Sequence, residues 1–135
     1  TINRARLSAD TVYAELADPG SRRARIYSSY ADMLRVRSRQ SAFDPAAAMH
    51  VLQIDDRVFA VKRFCPQQAL YALTNFSTDS LTVCLPDVDA QLMLTDLLGG
   101  RRFKAGAISI AAYETVWLTP KKLDIMLSSC RRSMV

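Results

Sequence analysis

Met49-His50-Val51-Leu52-Gln53-Ile54, then Asp55-Asp56, then Arg57-Val58-Phe59-Ala60-Val61-Lys62-Arg63-Phe64 is the stretch that decides the fold. β-Branched and aromatic side chains recur on both sides of an acidic break. The pattern predicts two strands, Met49 to Ile54 and Arg57 to Phe64, joined as a hairpin through a two-residue turn at Asp55-Asp56. Cys65-Pro66-Gln67-Gln68 ends the second strand, and Ala69 to Phe76 forms a third before the polar loop Ser77-Thr78-Asp79-Ser80. Leu81, Val83 and Leu85 alternate with Thr82 and Cys84. A further strand runs from Gln91 to Leu97, and Gly99-Gly100 supplies a turn whose positive backbone angles glycine adopts cheaply. Ala107 to Ile110 and Thr115 to Leu118 close the sheet. Phe59, Val61, Tyr71, Leu73, Leu92 and Leu94 are apolar on one phase, and Val58, Ala60, Leu70 and Ala72 on the other. With both faces covered, the strands form a two-sheet sandwich or one sheet buried against a neighbour.

Upstream the period changes from two to three or four. Leu7 through Leu16 reads as a short helix capped by Ser8, and Asp18-Pro19-Gly20 stops it. Ser21 caps a second helix, with Ile26, Tyr27, Tyr30, Met33 and Leu34 on one side and Arg22, Arg23, Arg25 and Arg35 left to water. It fades near Arg39, with Pro45 pushing Asp44 out of helical geometry. The expected class is α+β: one or two N-terminal helices followed by an antiparallel sheet or sandwich of about six or seven strands. The expected organisation is a helical segment over 1–45, a β domain over 46–119 and a tail over 120–135.

The 135 residues fit one domain with a substantial apolar core. No apolar run approaches the ~18 residues of a bilayer-spanning helix. The start, Thr1 to Arg6, has neither an initiator methionine nor a secretory pattern, so the chain is expected to begin within a longer protein. Cys65, Cys84 and Cys130 are widely spaced, with one histidine in the chain to complete a metal site. They read as reduced thiols in a cytoplasm, and no metal or cofactor is expected. The net charge of +5 would suit an acidic partner, but the Lys and Arg residues are scattered, which argues against a nucleic-acid stripe.

No complete catalytic centre is legible. His50 lies beside Met49 in a strand, without the company of a triad. Asp55 and Asp56 are adjacent and diverge in a turn, and Asp87 and Asp89 suit a loop after Pro86. Gly99-Gly100-Arg101-Arg102 lacks the spacing of a phosphate loop. Asn75-Phe76-Ser77 matches a glycosylation sequon but reads as the end of a strand. Tyr113 and Trp117 are candidates for stacking on a sugar ring, though alternation favours a packing role for Trp117.

Taken in order, Ile2-Asn3-Arg4, the Leu34 to Pro45 stretch, Val58-Phe59-Ala60-Val61-x-Arg63, Leu73-Thr74-Asn75-Phe76-Ser77, Asp96-Leu97-Leu98-Gly99-Gly100 and the closing Tyr113 to Leu118 form a familiar series. It resembles the C-terminal end of an α-amylase-superfamily enzyme, within glycoside hydrolase family 13 most similar to the sucrose phosphorylase-like subfamily. The resemblance covers nearly all of residues 1 to about 119. It implies that residues 1 to about 45 correspond to the last helical part of a (β/α)8 barrel, with the remainder as the β domain packed on it. The catalytic aspartates and glutamate would lie upstream of Thr1, on a barrel acting as a retaining glucoside phosphorylase. Asn3 and Arg4 would border the substrate site, and Thr1 departs from the aspartate common there.

The chain is therefore expected to be a non-catalytic accessory domain or fragment, docked on a catalytic barrel through Ile26, Tyr30 and Phe43. A free-standing carbohydrate-binding module, using Tyr113 or Trp117, is the alternative, and a basic nucleic-acid binder the third reading. The isolated chain, with the Ser21 to Arg37 helix bared, is expected to form dimers.

Overall fold

The computed structural model describes residues 7–120. They fall into two compact units that divide after Ser38.

The first unit is a pair of helices, α1 (Ala9–Ala17) and α2 (Arg22–Ser38). Ser8 caps α1 as expected: its backbone is extended, and its hydroxyl accepts from the Thr11 N–H at 3.2 Å. Asp18 organises the turn, accepting from the Gly20 N–H at 2.9 Å through its side chain and from the Ser21 N–H at 3.0 Å through its carbonyl. Ser21 then serves both helices. Its hydroxyl accepts from the Ala24 N–H at 3.0 Å and donates to the Glu15 carbonyl at 2.6 Å, while Arg23 pairs with Glu15. Burial is slight: Ala24 is the one buried residue in the two helices, and Leu7, Tyr13, Ile26, Tyr27, Tyr30 and Leu34 stand exposed.

Among its described residues the second unit holds eight strands: β1 (Ala48–Leu52), β2 (Val58–Cys65), β3 (Gln68–Asn75), β4 (Leu81–Val83), β5 (Met93–Asp96), β6 (Arg102–Lys104), β7 (Ile108–Ile110) and β8 (Thr115–Pro120). Six form an antiparallel sheet in the order β1-β2-β3-β8-β5-β6, and β4 pairs with β7 as a second, two-stranded sheet. The register sets Ala60 opposite Leu73 and Leu73 opposite Val116. Leu52, Val58, Tyr71, Leu94 and Leu118 share that face, and with Leu81, Val83, Ile108 and Ile110 of the small sheet they form the core. The sandwich reading therefore holds.

The opposite face of the large sheet is covered at one end by the segment around a 3-10 turn, Ser41–Phe43. Arg63 donates from Nε to the Ala42 carbonyl and from Nη2 to the Asp44 carbonyl, both at 2.8 Å. Gln68 accepts from the Ala42 N–H at 3.0 Å. Phe43 lies on Trp117, ring centroids 4.8 Å apart. These bonds tie residues 40–44 to β2 and β3, within the compact unit that begins at Arg39.

Local expectations need correction at three places. The β1–β2 connection is not a two-residue turn: β1 ends at Leu52 and β2 begins at Val58, with Asp55 organising the longer loop by accepting from the Arg57 N–H at 2.9 Å. The two-residue turn is Pro66-Gln67, because Cys65 pairs with Gln68. β6, three residues with one apolar side chain, had no pattern to announce it. The alternation from Leu81 to Leu85 is strand only in its first half: β4 stops at Val83, although Leu85 remains buried.

Candidate functional site

The sequence-level candidates occupy separate places. His50 is exposed on β1, its ring edge-on to Phe64 at 5.3 Å. Asp55 and Asp56 line a groove of about 440 Å³ beside the β1–β2 loop. Arg57 engages both Asp55 oxygens, Nε to Oδ1 at 3.0 Å and Nη2 to Oδ2 at 2.9 Å. That guanidinium lowers the Asp55 pKa to about 2. A general acid for glycoside cleavage needs the reverse, a carboxyl kept protonated near neutrality. Asp89 folds its own loop, accepting from the Gln91 N–H at 2.8 Å, and Gly100, at φ 71°, makes the turn read for Gly99-Gly100. Among the described residues, no group of three or more His, Cys, Asp or Glu side chains is arranged to hold a metal ion.

Of the two sugar-stacking candidates, Trp117 is a packing residue, 9% exposed against Phe43. Tyr113 is 67% exposed on the β7–β8 turn, at φ 56°. The turn is held by Glu114, whose carboxylate accepts from the Ala111 N–H at 2.8 Å and pairs with Arg101.

The docking candidates also separate. Ile26 and Tyr30 stand 57% and 64% exposed and, with Ser29 and Met33, line a groove of about 480 Å³ along α2, bordered by Arg22 and Arg25. Phe43 turns inward, 9% exposed, leaving little of its ring for another surface. Asn3 and Arg4 lie outside the described residues, as does the tail beyond Pro120.

Sequence reasoning missed two buried polar side chains. Asp96 is 2% exposed, accepting at Oδ1 from the Leu98 and Trp117 N–H groups, both at 3.1 Å, and at Oδ2 from the Gly99 N–H at 2.9 Å. Asn75 is fully buried. Its Nδ2 donates to the Asp79 carbonyl at 2.7 Å and the Ala111 carbonyl at 2.9 Å, so the sequon amide is committed to the fold. The available signal was weak: a carboxylate before Leu-Leu-Gly-Gly, and an amide closing a strand.

A large antiparallel sheet closed by a smaller one, with its interior polar groups spent on loops, defines a two-sheet β domain. No family model matches the chain. Trehalulose synthase MutB from Pseudomonas mesoacidophila superposes over 81% of this chain and 19% of its own, TM-score 0.63 at 17% identity. AmyP in complex with maltotriose, in a variant form, covers 76% of this chain and 22% of its own, TM-score 0.64 at 21% identity. In sequence the chain is 36% identical over 138 residues to glucosylglycerate phosphorylase from Spirochaeta thermophila, matching 89% of this chain. The chain spans 23% of that relative's length. The likeness in sequence is thus to a part of that phosphorylase, and the likeness to the solved structures is one of fold.

Proposed function

We propose that the chain is the accessory domain of a glucoside phosphorylase, covering and stabilising a catalytic (β/α)8 barrel. The observation that carries this is the bare apolar side of α2: Ile26, Tyr27, Tyr30 and Leu34 are all exposed, the side that amphipathic spacing assigns to a core. Arg22 and Arg25 border the same groove, which suits a partner surface carrying carboxylates. The relative's name makes glucosylglycerate the first substrate to test for the whole enzyme, ahead of the sucrose that subfamily resemblance suggested. In such an enzyme a barrel carboxylate would form a glucosyl intermediate that phosphate intercepts. The compartment proposed is the cytoplasm, in keeping with the unpaired Cys65 and Cys84. Among the described residues no helix is long and apolar enough to cross a membrane.

The test is a comparison of the 135-residue chain with the product of its complete coding frame. Phosphorolysis of glucosylglycerate and sucrose is expected from the latter and not from the former. Introducing Ile26→Asp and Tyr30→Asp into the complete protein should lower its thermal midpoint while the α2 hairpin of the short chain keeps its helicity. Turnover by the short chain, or an unchanged midpoint in the complete protein, would overturn the reading. The exposed ring of Tyr113 supports a second reading, a carbohydrate-binding module. Calorimetric titration with sucrose, maltose and soluble glucans separates them, because a docking domain should give no saturable heat.

A further inference from the structure

The two edges of the six-stranded sheet differ in chemistry. β6 places Arg102 and Lys104 on its three residues, cations that discourage pairing with another strand. β1 carries Ala48, Met49, His50, Val51 and Leu52, with no Lys, Arg, Asp, Glu or Pro. Its pairing with β2 runs without a bulge from Ala48 opposite Phe64 to Leu52 opposite Ala60. Four of the five residues are exposed. Met49 and Val51, on the face away from the core, are 56% and 62% exposed, and Phe59 on β2 beside them is 55% exposed. None of the usual devices that blunt an edge is present on this strand.

We propose that β1 is the surface through which two copies of this chain associate, by antiparallel β1–β1 pairing about a two-fold axis at His50. A strand pairing with itself must meet its own sequence reversed, and this one suits that arrangement. Centring on His50 keeps all five residues in the ladder. It sets Met49 opposite Val51 of the partner subunit, and by symmetry repeats that pair, while Ala48 faces Leu52 of the partner subunit. Moving the axis to Met49 or Val51 drops two residues from the ladder. A two-fold axis perpendicular to the sheet also keeps like faces together, so the apolar strip of Met49, Val51 and Phe59 continues across both copies. The proposal is independent of the barrel: it uses the β unit, whereas the docking reading uses α2.

Sedimentation velocity and light scattering of the 135-residue chain over a concentration series test it. A monomer–dimer equilibrium is expected. Val51→Lys, on an exposed position, should raise the dissociation constant about tenfold by removing both Met–Val pairs. Ile26→Lys on α2 should leave it unchanged. Amide exchange in β1 should slow as concentration rises, a readout that needs no variant. Oxidised His50→Cys should cross-link to its own copy at position 50, mapped by peptide mass spectrometry against the unsubstituted chain. A chain that stays monomeric throughout, a dimer indifferent to Val51→Lys, or one abolished by Ile26→Lys would overturn the proposal.

Discussion

Asn75 is buried, and each polar atom of its side chain has a partner: two carbonyls take its N–H groups, and the Ser77 N–H at 2.9 Å and hydroxyl at 2.8 Å donate to its Oδ1. Asn75→Ala strands those partners in the interior, which should cost about 2–4 kcal/mol of unfolding free energy in urea titrations. Asp55 makes a different prediction. Its folded pKa of about 2 lies below the ordinary 3.8 because of the Arg57 hydrogen bonds. The unfolded chain therefore binds more protons between those values. The stabilisation it gives is present above about pH 4 and is lost as pH falls through about 2. Asp55→Asn should lower the urea midpoint slightly at pH 7, where the carboxylate is ionised, and flatten its decline between pH 4 and 2. A decline of equal slope in both proteins would remove Asp55 from the account. Neither side chain was legible beforehand in its role. Asn75 sits in a sequon and Asp55 beside Asp56, and nothing in either local pattern states which atoms will face the interior.

At the scale of elements, the sequence was clearest where side chains repeat with a period. Both helices, with the Ser8 and Ser21 caps, and the long strands β2 and β3 follow directly from spacing. Legibility ended where geometry depends on register. Asp55-Asp56 and Pro66-Gln67 are both short polar breaks between apolar runs, and the Cys65–Gln68 pairing, a relation between two strands, decides which is the tight turn. β6 joins the sheet because Leu94 lies opposite Phe103, a long-range fact absent from Arg102-Phe103-Lys104 itself. The β5–β6 connection shows how two neighbouring glycines carry different constraints. Gly100 has φ 71° and open space where a side chain would stand, so Gly100→Ala should cost about 1 kcal/mol through backbone strain alone. At Gly99 a Cβ would sit 2.8 Å from Asp96 Oδ2, the atom that accepts the Gly99 N–H. Gly99→Ala should therefore lower the urea midpoint further than Gly100→Ala, because it disturbs the Asp96 hydrogen bonds to Leu98 and Trp117 as well.

The whole molecule combines two units of unequal self-sufficiency. The β unit buries Leu70, Leu73, Leu94, Ile108, Ile110, Val116 and Leu118 fully. The helical unit buries Ala24, and its two helices are nine and seventeen residues long. Helices of that length gain most of their stability from packing an apolar face, and here that face is exposed. The units should therefore unfold at different denaturant concentrations. Two probes separate them: ellipticity at the helix band reports mainly α1 and α2, and fluorescence reports the chain's one tryptophan, Trp117, which lies in β8. In the 135-residue chain, ellipticity should fall at lower urea than fluorescence changes. Ile26→Ala should leave the fluorescence midpoint where it was, whereas Leu73→Ala should lower it, at a cost of about 2–5 kcal/mol. If α2 docks on a barrel as proposed, the helical transition in the longer protein should move up to join the other, because a covered α2 would acquire the packing it lacks here. Coincident transitions in the short chain would mean that the helices draw their stability from within it, and the bare face of α2 would then require a different explanation from a missing barrel.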